Sequence, residues 1–205
     1  MPTKTGREYR AMNLLLPETD KRLDSDFYVC GLATTFNQPY LLYEWDGDKY
    51  YEVVDRHAID GADLSDVIMQ YDHGGRVFAR NKMGGGKPPT LIVEPQDRGF
   101  FVAADLSMSE AAKQMYLEIT SGLVHQMSWA FTVIEDSYDR ATKTRTILKV
   151  GKVYDVSAVS IPANSNTEIS ARSYLDGVIE AEKRETQERL KLAQAKYFYF
   201  YGGKQ

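Results

Sequence analysis

The chain has 205 residues, a hydrophobic fraction of 43%, a charged fraction of 26% and a net charge of −4. That is enough chain for one domain with a real core, in the composition of a soluble globular protein. The acidic balance and the absence of a Lys/Arg cluster speak against direct nucleic-acid binding, no apolar run approaches the roughly 20 residues that cross a bilayer, and a single cysteine, Cys30, excludes an intrachain disulfide.

The first residues carry no apolar stretch of the secretory kind, so the expectation is a cytosolic chain. Residues 1–26 are mixed and charged and read as an arm. Phe27 to Phe36 is rich in residues that favour strands, and Cys30 sits inside it as a buried structural thiol. An Asp46-Gly47 turn signal precedes a second strand from Tyr50 to Asp55. A short apolar run from Asp66 to Asp72 ends at His73-Gly74-Gly75. Three glycines and two prolines over residues 84–89 support only a loop. Leu91 to Val93 and Phe100 to Ala104 flank a Gln96-to-Gly99 turn and read as a hairpin. Ser107 and Glu110 match a capping box, and Met108, Ala111, Ala112, Met115 and Ile119 follow at helical spacing up to a Gly122 cap.

From Gln126 to Ile134 the pattern alternates. Met127, Trp129, Phe131 and Val133 take one face, so Ser128 points to the other. Thr144 to Leu148 and Val153 to Ile161 are further strands, broken at Pro162-Ala163-Asn164. Residues 172–195 have a helical composition, with Glu180 and Arg184 at a favourable spacing, and lead to an aromatic run from Tyr197 to Tyr201. Short strands with one internal and one terminal helix predict a mainly β protein with α: a closed or strongly bent β-barrel with helices packed outside.

Histidine is the natural neutral-pH base, and the chain has three. His57 lies past a strand end and reads as an exposed loop residue. His125 leans to the apolar side of its strand and reads as a core or rim histidine. His73 stands at a strand end with two glycines opening space beside it. The three lie too far apart in sequence for the close pairs typical of zinc ligands. Nor is there a Gly-x-Ser-x-Gly elbow, a His-Glu-x-x-His run, a phosphate loop or a dinucleotide fingerprint.

Four segments in order resemble one known family. Gly31-Leu-Ala-Thr-Thr-Phe-Asn37 comes first, then Ile68-Met-Gln-Tyr-Asp-His73-Gly-Gly-Arg76 through Arg80. Gly122-Leu-Val-His-Gln-Met-Ser128-Trp-Ala-Phe131 and Val153-Tyr-Asp155-Val-Ser-Ala-Val-Ser-Ile-Pro-Ala-Asn164 complete the set. Together they are similar to the signature of the phage prohead serine proteases, relatives of the herpesvirus maturation protease. Departures from the family pattern are Tyr71-Asp72 before the histidine, Gly74 after it, and Trp129-Ala130 beyond the serine; none removes a reacting group.

The resemblance implies a herpesvirus-protease-like fold, with a protease domain over 27–172 and a helical extension over 173–205. It implies an endopeptidase with Ser128 as nucleophile, His73 as base and Asp155 in the place where the herpesvirus enzymes use a second histidine. Oxyanion donors are expected near Pro162-Ala163-Asn164, and no metal or organic cofactor is called for. Substrates would be the major capsid protein precursor, scaffold segments and the enzyme itself, cut inside the procapsid in the host cytoplasm. Herpesvirus relatives are dimers, which makes a homodimer an expectation; direct nucleic-acid or membrane contact is not expected. The competing readings are a catalytically inactive scaffold component of the prohead and an esterase using the same three residues.

Overall fold

The computed structural model describes residues 6–13, 22–45, 47–160 and 183–192. Its main body is built on ten strands and one helix, and a separate unit contains a helix over residues 183–192 whose side chains are exposed. The Glu180 spacing, the aromatic run from Tyr197 and the Pro162 break lie outside the described residues.

Two sheets make the main body. In the larger, β1 (Glu8–Asn13), β9 (Gln126–Asp139), β10 (Thr144–Val159), β4 (Asp48–Val54) and β3 (Tyr40–Trp45) follow one another, and β10 also pairs with β5 (Ile68–Tyr71), which pairs with β6 (Gly74–Arg80). The smaller sheet is β2 (Tyr28–Thr35), β8 (Gly99–Asp105) and β7 (Leu91–Gln96). Within the stretch read as an arm, β1 is therefore an edge strand, antiparallel to β9.

β10 organises this arrangement. Against β9 its register slips four times between Ile147 and Asp155, so the strand bends in its middle. The first part of β10 pairs in parallel with β4 and the last part with β5. The loop between β4 and β5 fills the gap at the bend: Val150 N–H donates to Ala58 O at 2.8 Å and Asp63 N–H to Gly151 O at 2.8 Å. Gly151 fits closely there: a Cβ would meet Thr132 Oγ1 at 3.0 Å and Ile134 Cγ1 at 3.1 Å, so those side chains would have to give way.

The sheets face each other across one apolar core in which Trp129 stacks on Phe131 at 3.9 Å and tilts against Phe100 at 5.6 Å. Met127, Trp129 and Phe131 are fully buried on the inward face of β9, as the alternation requires. Cys30 is buried with Phe101 and Ala103 on the opposite face of the smaller sheet. Helix α1 (Glu110–Thr120) adds Ala112, Met115 and Ile119 to the core, while Met108 lies outside the helix and is exposed. Its N-cap is Ser109, not Ser107, because Asp105 already accepts both the N–H and the hydroxyl of Ser107. At the far end Gly122 takes φ +79° and donates to Ile119 O, the left-handed cap its sequence position suggested.

Mainly β with few helices is therefore correct. Closure into a barrel is not seen: among the described residues no ladder joins the two sheets. Single backbone hydrogen bonds link their margins: Thr90 N–H to Arg80 O at 3.0 Å, between the end of β6 and the start of β7, and Asn37 N–H to Val54 O at 2.9 Å, between the end of β2 and β4.

One end of the core is ionic. Glu8 and Arg10 are cross-strand from Phe131 and Trp129, so both turn inward. Arg10 pairs with Glu52 through two nitrogens and with Glu8 at 2.7 Å; Arg145 reaches Glu8 at 2.6 Å, Asp136 at 2.7 Å and Glu52 at 3.2 Å. The Tyr40 hydroxyl donates to Glu52 at 2.5 Å. Burial and the adjacent Glu52 carboxylate hold the Tyr40 phenol well above its usual range. Burial alone would raise Glu8, but hydrogen bonds and charge from Arg145 and Arg10 outweigh it and leave the carboxyl below its ordinary value.

The cluster ties β1, β3, β4, β9 and β10 together, and removing one member strands charge in the interior. Arg145→Met is expected to lower the unfolding free energy by about 3–5 kcal/mol in urea denaturation. A Glu8 carboxyl depressed on folding contributes stability that is complete above its ordinary 4.5 and lost as pH falls through the lower folded value. The urea midpoint is therefore expected to drop on acidification below that point, and less steeply in Glu8→Gln.

Candidate active site

The face of the large sheet turned away from the core is set by the same alternation. Along β9, Ser128 and Ala130 point outward from the Trp129 side; along β10, Asp155 is opposite Ala130 and Ser157 opposite Ser128. On β1, Tyr9 is opposite Ala130. Five residues from three strands thus share one face by register alone.

His73 arrives from a different element. β5 and β6 form a hairpin with Tyr71 opposite Gly74, leaving Asp72 and His73 as a two-residue loop. Both take positive φ, +46° and +56°, as a tight hairpin of the mirror-image type demands. Asp and His are among the residues that tolerate this region, at a cost of order 1–3 kcal/mol each. The surroundings fix the turn: Asp72 N–H donates to Ala158 O at 3.0 Å, and the Asp72 carboxylate accepts from Ser160 N–H and Ser160 hydroxyl, both at 3.1 Å. The turn is therefore locked onto the end of β10.

This places the imidazole between two partners. His73 Nε2 is 2.6 Å from Ser128 Oγ, and His73 Nδ1 is 2.6 Å from Asp155 Oδ1. With Nδ1–H donated to the carboxylate, Nε2 is left to accept the serine proton, a hydroxyl–imidazole–carboxylate line. His73, Ser128 and Asp155 are brought together from two strands and a turn.

Two further side chains belong to the constellation and have no signal in the sequence. Ser157, fully buried, donates its hydroxyl to Asp155 Oδ1 at 2.7 Å. The edge of Tyr9 rests on the His73 ring, 4.6 Å between centroids at 68°. Either would have been found by extending the period-two reading of β9 to its neighbours, but that needs the register. The site is dry. Ser128 has 0% exposure, and the side chains of His73 and Asp155 have 11% and 5%.

The other histidines take no part. His57 is exposed and bonds Asp60 at 2.8 Å through Nδ1, the loop role expected of it. His125 is exposed rather than in the core or rim; β9 begins one residue later, and Val124 is the buried neighbour. Among the described residues no three His, Cys, Asp or Glu side chains gather as metal ligands would. The segment Pro162-Ala163-Asn164 lies outside the described residues. No described helix is long and apolar enough to cross a membrane.

A proton held between His73 and Asp155 is expected to give a proton NMR signal well downfield of the amide envelope. It should vanish in His73→Ala and move in Ser157→Ala, where the carboxylate loses a donor; a signal indifferent to Ser157 would mean the serine does not act on the pair.

The sequence pattern of the family described as caudovirus prohead serine protease matches residues 17–179. No curated protein sequence matches the chain. Among solved structures, that of the bacteriophage T4 capsid assembly protease aligns over 77% of this chain and 100% of that one, with 10% identity and a TM-score of 0.42.

Proposed function

The chain belongs to the caudovirus prohead serine proteases, and we propose that Ser128, His73 and Asp155 are the residues with which it cleaves peptide bonds. The observation that supports this is the unbroken pair of 2.6 Å contacts through the two nitrogens of one imidazole.

A serine hydroxyl is a weak nucleophile until a base takes its proton. His73 Nε2 is in place to do so as Ser128 Oγ attacks the scissile carbonyl. The carbonyl π pair moves to oxygen, the tetrahedral species forms, and the proton on Nε2 then passes to the departing amine nitrogen. Water repeats the sequence in reverse, taking the acyl group from Oγ and returning the serine. Asp155 holds the ring in the tautomer with Nδ1–H and stabilises the imidazolium, and Ser157 holds Asp155. The oxyanion calls for backbone donors.

We further propose that the substrates are the major capsid protein precursor and scaffold segments, cut inside the procapsid in the host cytoplasm. The two facing sheets are read as the walls of a herpesvirus-protease-like barrel, and the enzymatic domain as residues 27–172 with β1 added at its edge. Self-cleavage and a homodimer are part of the same proposal.

A second reading rests on the complete burial of Ser128: a prohead component that keeps the fold without turning over substrate. Co-expression with the cognate capsid protein separates the two. The wild type is expected to shorten that protein, by intact-mass spectrometry, while Ser128→Ala and His73→Ala lose of order 10^6-fold in rate and Asp155→Asn about 10^4-fold. Equal processing by wild type and Ser128→Ala would leave only the non-enzymatic role.

A further inference from the structure

The turn that carries His73 opens directly into β6, and β6 is an incomplete strand edge. It meets β5 at Gly74, Ala79 and Arg80, but the register breaks after Met69, so residues 75–78 lie outside the ladder. Among the described residues no other strand pairs with β6. Gly74 to Val77 are exposed, Val77 at 44%. Here the Gly75 C=O accepts from Gln70 Nε2 at 3.4 Å, and a strand edge that leaves its ladder is a template for another strand.

Beside this edge lies a cleft of about 360 Å³ between the hairpin and α1. Phe78 and Tyr71 line it from the hairpin, Ala111 and Met115 from the helix, and Arg76 and Glu118 also lie on it. Both partly buried aromatics also pack on the core, and Met115 belongs to it, so these walls are held from behind. Charges of both signs and a mostly apolar lining select no net charge in an occupant. Gly75, at φ +74° with nothing within 4 Å of a Cβ position, leaves the strand bare for close backbone approach.

We propose that this cleft is a substrate subsite: an extended peptide adds along β6 and seats one apolar side chain between Phe78 and Met115. The proposal rests on the protease reading above. Continuity decides the occupant. Tyr71 and Gly74, which flank the Asp72-His73 turn, both line the cleft, so a strand laid on β6 runs up to the turn that carries His73.

The test is digestion of a synthetic library of unstructured peptides, randomised around a central position, by the full chain, with products read by mass spectrometry. The wild type is expected to prefer apolar over small residues at one fixed distance from the cut. Ala111→Phe fills the cleft from the helix, and Gln114→Trp does so from an exposed position on the same wall. Each should lower the apolar-to-small ratio of kcat/KM roughly tenfold or more, the scale of a filled apolar pocket. Leu117→Gln, on α1 but outside the cleft, should keep the wild-type ratio. Ser128-dependent cleavage with an unshifted ratio in both filling variants overturns the subsite and leaves the protease reading intact. A change confined to oligomeric state, by size-exclusion chromatography, overturns it in favour of a contact between copies. Undiminished cleavage by Ser128→Ala removes the protease reading and the subsite with it.

Discussion

The antiparallel pairing of β9 with β10 is the constraint from which the site follows. Because side chains alternate along each strand, the register that buries Trp129 and Val156 in the core sends Ser128, Asp155 and Ser157 to the opposite face. A slip of one residue would exchange the two sets and put three polar groups into the core. The apolar packing therefore enforces the polar geometry. The bend in β10 adds the second requirement, since it frees the last part of that strand to take β5 alongside and bring the His73 turn over the pair.

Energetically the two ends of the sheet contrast. At one, the guanidiniums of Arg10 and Arg145 pair with the carboxylates of Glu8, Glu52 and Asp136 out of water, an arrangement costly to break. At the other, a turn of two positive-φ residues holds the largely buried His73 imidazole, with Asp72 bonded to Ser160 to keep the turn in place. β1 serves both, with Arg10 entering the ionic cluster and Tyr9 resting on the histidine ring. Strain concentrated at a functional turn, with rigidity supplied elsewhere, is a common division of labour.

What the sequence disclosed follows from how local each signal is. The alternation along β9 was plain because Trp129 and Phe131 are large and the intervening residues small. β1 left no such trace: its inward residues are Glu8 and Arg10, whose partners Glu52 and Arg145 lie far along the chain. The helix start shifted from Ser107 to Ser109 because Asp105 claimed the earlier hydroxyl, a bond no spacing rule registers. β6 went unassigned because the two glycines at its start weaken the strand signal. For the site, resemblance supplied His73, Ser128 and Asp155, but Ser157 and Tyr9 depend on cross-strand register and became visible only with the fold.

The separations inside the constellation carry a consequence for biosynthesis. His73 stands 55 positions from Ser128 and 82 from Asp155. A growing polypeptide therefore cannot assemble the relay until β10 has emerged from the ribosome and wrapped between β9 and β5. Long-range closures of this kind are slow relative to helix formation. Translation itself thus withholds the three-residue constellation from the nascent chain until nearly all of the two-sheet body is made.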